Sequence, residues 1–145
     1  MNSKQDLNDG VEILKPLMGK HDFTYIEGDS GVSSGGLFAS GCFKTCDRRF
    51  KFSVRYTLGH VYYEVFGRRG ISHEDYMRAV KALGYTTSDP QYPAASQGGG
   101  ISDSFRRLYN DIKNASTFFS ESDDKVEYIF DWVENNPKKK GLGAV

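Results

Sequence analysis

His60 and Glu64 come nearest to a catalytic pair in this chain. They stand four apart with Tyr62 between them, and on a strand an even spacing puts all three on one face. An imidazole and a carboxylate so placed are the parts of a general acid–base pair. Arg48 or Arg55 would supply the cation that holds a phosphate, as in a ribonuclease or small hydrolase. The same residues have a plainer reading. Gly59-His60 has the composition of a two-residue hairpin turn, where a polar side chain is ordinary.

Three other motifs carry less. Gly28-Asp29-Ser30-Gly31 matches the nucleophile segment of trypsin-like proteases. A nucleophilic serine needs a base and an orienting carboxylate, and a chain of 145 residues is too short for that double barrel. The glycine-rich stretch is no P-loop either, because it lacks the lysine and leads toward a strand. Cys42 and Cys46 would lie roughly 13 Å apart on one strand, beyond the span of about 7 Å that a disulfide tolerates. Two reduced thiols are expected, with no second pair to complete a zinc site. No metal and no cofactor are expected.

Charge offers two binding surfaces. Between positions 47 and 69 six basic residues face two acidic ones, Asp47 and Glu64. Lys51, Arg55, Tyr62 and Arg68 could form a basic, aromatic sheet face of the kind that binds single-stranded nucleic acid. The plain alternative is a solvated sheet face. From Ser120 to Glu134 six acids stand against Lys125 alone. On a helix Asp124, Glu127 and Asp131 make one strip, and Trp132 adds an aromatic anchor for a basic protein partner.

These residues need elements to position them. Phe50, Phe52, Val54, Tyr56 and Leu58 alternate with Lys51, Ser53, Arg55 and Thr57, which predicts a strand with one buried and one basic face. It is the centre of an expected antiparallel meander over 37–66, preceded by a short strand over 22–27. Residues 28–36 read as a flexible connection. Leu7, Val11, Leu14 and Met18 predict a first helix over 4–19, with Pro16 kinking or ending its last turn. Ser72 caps a second helix that stops at Gly84. The long 85–100 connection marks a working or mobile loop. Ser102 caps a third helix, whose stripe runs from Phe105 to Phe119. Ser120 caps a fourth that ends at Pro137. Residues 1–145 thus read as a single α+β domain, an antiparallel four-stranded meander with an N-terminal helix and three C-terminal helices packed on one face. Residues 1–3 and 138–145 read as frayed ends.

Formal net charge is zero, so no global field favours DNA or an anionic membrane. The polar start MNSKQDLND has no signal-peptide core, and no apolar run reaches the ~20 residues of a membrane span. A soluble, cytosolic protein is expected. Gly35-Gly36-Leu37-Phe38-Ala39-Ser40-Gly41, and Leu58 to Tyr63 followed by Ser72 to Ala79, resemble small cytosolic bacterial proteins. Chains of this size and make-up include immunity proteins encoded beside toxins of contact-dependent or polymorphic toxin systems. The resemblance covers the middle third of the chain and carries over no functional residues. It implies a non-enzymatic protein that binds one toxin domain and blocks its active site.

Overall fold

The computed structural model describes residues 3–33, 36–55, 57–93 and 100–137. Tyr56, residues 34–35, residues 94–99 of the long connection and the tail from position 138 lie outside the described residues. Helix α1 spans Ser3–Gly19, and Leu7, Val11, Leu14 and Met18 form its buried stripe. It runs through Pro16 rather than stopping there.

The sheet is antiparallel, in the order β1 (Thr24–Ser33), β2 (Gly36–Lys44), β3 (Arg48–Arg55), β4 (Thr57–Val65) and β5 (Ile71–Ser72). Among the described residues it therefore has five strands, not four. The added strand is only two residues long, too short for any periodicity to announce it.

Two boundaries also move. The glycine- and serine-rich stretch expected as a loop continues β1 to Ser33, with a bulge between Glu27 and Ser30. The Ser40 hydroxyl secures that bulge by accepting from the Asp29 amide at 3.0 Å and donating to the Asp29 carbonyl. A Cβ on Gly28 would stand 2.5 Å from the same hydroxyl, so glycine is needed there.

Arg55 pairs with Thr57 and Val54 with Leu58, so the connection between β3 and β4 comes before Leu58. It is not at Gly59-His60. Val54 and Leu58 are buried, and Arg55 and Thr57 are exposed. His60 is instead the extra residue of a bulge inside β4, with φ at 45°. The bulge resets parity, and Leu58, Val61 and Tyr63 all reach the core.

Among the described residues four helices follow the sheet, not three: α2 (His73–Ala82), α3 (Gly100–Asn114), the one-turn α4 (Thr117–Ser120) and α5 (Asp123–Asn135). The Ser72 hydroxyl caps α2 by accepting from the Asp75 amide at 3.1 Å. Gly84 closes it with φ at 78°, and the Tyr85 and Gly84 amides return to the Val80 and Lys81 carbonyls. Ser102 lies inside α3, and the N-cap of α5 is Ser122 rather than Ser120.

The expected third helix breaks after Asn114 because Tyr76 supplies the bonds a continued helix would have made. Its buried hydroxyl donates to the Ala115 carbonyl at 2.5 Å and accepts from the Phe118 amide at 3.1 Å. The core between sheet and helices is strongly aromatic: Phe43, Phe50, Phe52, Tyr63, Tyr76, Phe105 and Phe118 are fully buried. Gly10 lets α1 approach α3, for a Cβ there would meet the Phe105 ring at 2.2 Å.

Candidate functional site

Burying one face of the sheet leaves the other to solvent. Registers across that open face align Ile26, Cys42, Lys51, Tyr62 and Ser72 in one row over all five strands. The neighbouring row is Thr24, Lys44, Arg49 and Glu64. On β2, β3 and β4 the charged residues of this face are Lys44, Arg49, Lys51 and Arg55 against Glu64 alone. Glu64 stands between Arg49 Nε at 3.8 Å and Lys51 Nζ at 3.4 Å. Tyr62 is 39% exposed, and the His60 ring lies nearly parallel to it, 6.2 Å between centroids and 15° between planes. The Arg55 guanidinium lies 5.7 Å over the Phe38 ring. Between these groups Ser53, Arg55, Thr57 and His60 border a cleft of about 320 Å³.

Lys51, Arg55 and Tyr62 are thus brought together, but Arg68 is not with them. It sits in the β4–β5 turn and reaches to α5, where its guanidinium bonds Glu127, Asp131 at 2.9 Å and Glu134 at 2.7 Å. Hydrogen bonds, first to Glu134 and then to Glu127 and Asp131, raise its pKa further and keep it charged. Two members of the expected acidic strip therefore serve an internal ion cluster. Asp124 remains exposed. Trp132 is half-buried beneath the Arg78 guanidinium at 5.2 Å, so it is no protruding anchor. The exposed aromatic on this helix is Tyr128, at 61%, four residues from Asp124. Its position outside the Val126, Ile129, Phe130 and Val133 stripe was the signal that could have revealed it.

Sequence reasoning also missed a buried polar chain. The Tyr63 hydroxyl lies 2.7 Å from His73 Nδ1, and His73 Nε2 lies 2.9 Å from Asp111. Asp111 also accepts from the Gln91 amide at 2.6 Å and the Tyr92 amide at 2.9 Å. A carboxylate only accepts, so with a neutral ring Nε2 carries the proton and Nδ1 accepts from Tyr63. Burial pushes the Tyr63 phenol well above its ordinary pKa and that of Tyr92 up to about 12. The Tyr92 hydroxyl donates to the Leu58 carbonyl at 2.5 Å, tying this loop to β4. Both ring nitrogens and both carboxylate oxygens are thus engaged within the fold. A carboxylate beside the Leu108 and Ile112 stripe was the one hint of it.

Of the expected acid–base constellation, His60 and Arg55 border the cleft and Glu64 does not. Both Glu64 oxygens face cations, and Arg48 is held by the α4–α5 junction. Cys42 and Cys46 do not share a strand, because β2 ends at Lys44 and Cys46 lies in the following turn. Both thiols are free, and burial pushes that of Cys42 up. Among the described residues no group of three His, Cys, Asp or Glu could hold a metal ion, and no helix is long and apolar enough to cross a membrane. Comparison of the chain with protein-family models, curated proteins and solved structures finds no match.

Proposed function

We propose that this chain is a non-enzymatic binding module that takes a polyanionic partner on the open face of its sheet. The observation that carries this reading is the concentration of Lys44, Arg49, Lys51 and Arg55 against one carboxylate beside exposed rings. Net charge is zero, so attraction to a polyanion must come from a patch and not from the whole molecule. The non-enzymatic part is supported by the mutual hydrogen bonding of the buried Tyr63, His73 and Asp111 groups and by the engagement of Glu64. The chain is expected to be retained on immobilised heparin at low salt. The Lys51→Glu, Arg55→Glu double variant should elute at clearly lower salt. Identical elution of the two proteins would remove the open face from the reading.

The exposure of Tyr128 favours a second reading, the toxin-neutralising protein that the sequence resemblance implies. An exposed tyrosine beside Asp124, with the half-exposed Glu127 and Asp131 near it, has the make-up of a docking patch for a basic protein domain. A partner held by the wild-type chain should dissociate about tenfold faster or more from the Tyr128→Ala, Asp124→Lys variant. Unchanged dissociation would take α5 out of the interface.

A further inference from the structure

We infer that the polyanion of the open face is a single-stranded nucleic acid, and that the bulge at His60 forms a nucleotide subsite. The inference rests on the open face being the working surface.

The two central strands divide the labour. Arg49, Lys51 and Arg55 point to the same side of β3, spread over about 20 Å at 3.4 Å per residue. They form a rail along which a phosphate backbone can run. On β4, about 4.8 Å away, His60 and Tyr62 present nearly parallel rings. The bulge is what makes this pair. By inserting one residue it places His60 on the exposed side beside Tyr62, while Val61 keeps its place in the core. A base laid on these rings extends an existing stack. The cleft beside them, bordered by Ser53, Arg55 and Thr57, is where the adjoining phosphate would sit. Glu64, between Arg49 and Lys51, weakens the rail at its other end and orients the strand toward Arg55.

Parallel rings beside a cationic rail take up base and phosphate together, and that combination favours a nucleic acid over an acidic protein or a sulfated sugar. The sheet face projects no helix or ribbon into a duplex groove, and its rings reach only bases that are already unstacked. Base–aromatic stacking tolerates any sequence, so little sequence preference is expected.

The test is fluorescence anisotropy of a labelled oligo(U) strand, with heparin retention measured in parallel. Tyr62→Leu and His60→Ala are both made, so that one variant suffices if the other misfolds. Lys113→Glu, at the exposed end of α3, is the control. Tyr62→Leu is expected to weaken oligo(U) binding on the order of tenfold and leave heparin retention unchanged. A duplex should bind more weakly than the single strand, and the control should match the wild type. If Lys51→Glu with Arg55→Glu abolishes oligo(U) binding but neither ring variant alters it, the nucleotide subsite is overturned and the basic face stands. If the charge-reversal variant binds oligo(U) and heparin as the wild type does, both readings fall.

Discussion

Asp111→Ala is expected to lower stability by about 3–5 kcal/mol, a large share of the roughly 5–15 kcal/mol typical of a domain. Asp111 is 1% exposed and accepts from three N–H groups: His73 Nε2, the Gln91 amide and the Tyr92 amide. Alanine removes every acceptor at once and leaves the buried His73 donor and the part-buried Gln91 and Tyr92 amides without it, at about 1–3 kcal/mol for a buried group left without a partner. Asp111→Asn keeps one oxygen and nearly the same shape, so it should fall between wild type and alanine. Urea unfolding of the three proteins checks this. An alanine loss under about 1 kcal/mol, the scale of an ordinary surface change, would show that water replaces the carboxylate without strain. The damage should also reach the open face. Asp111 holds Tyr92, whose hydroxyl bonds the Leu58 carbonyl on the strand that carries His60 and Tyr62. Binding should therefore weaken in Asp111→Asn even where the protein remains folded.

Arg48→Met is expected to cost about 2–4 kcal/mol. The Arg48 side chain is 10% exposed and donates to the Phe118 carbonyl at 2.7 Å, the Glu121 carbonyl at 2.9 Å and Asp123 Oδ1 at 2.7 Å. It thus ties the start of β3 to the turn between α4 and α5. Methionine replaces the stem but none of the donors, and Arg48→Lys should recover only part of the loss because an ammonium cannot reproduce the planar fork. Asp123→Ala is the internal control. That carboxylate is exposed, so its removal should matter far less than removal of the arginine. Its hydrogen bond and charge contact with Arg48 hold its pKa below the usual 3.8. A depressed carboxyl stabilises the fold above its unfolded value, and that contribution fades as pH falls through the folded one. The wild-type advantage over Asp123→Ala should accordingly be present at neutral pH and shrink below about pH 4. If Arg48→Met unfolds no earlier than Asp123→Ala, the two carbonyl bonds contribute nothing.

Much of the architecture is local, and that part was legible in the residues. The Leu7, Val11, Leu14 and Met18 stripe, the Ser72 cap and the Gly84 stop each depend on neighbours within a turn or two of helix. The two-faced strand from Phe50 to Val54 is equally local, because parity along a strand needs no knowledge of the rest. Lys51 and Arg55 could be placed together on that ground alone, whereas Tyr62 joins them only beyond the shift of register in β4. The bulge at His60 could not, since it shows only in the register with β3. Nor could the break after Asn114, which Tyr76 creates from another helix.

Arg55 and Arg68 make the division plain. By type and by charge neighbourhood they looked alike, two cations of one basic segment. What the sequence by itself determined was the α+β class, the antiparallel sheet and which residues of β3 face away from the core. What only the tertiary structure decided was where each charge lies. Arg68 meets Glu127, Asp131 and Glu134 across some sixty residues of chain, whereas Arg55 stays on the open face beside Phe38. Hydrophobic periodicity is written along the chain, but the pairing of charges depends on distances through space, and those exist only once the helices have closed over one side of the sheet.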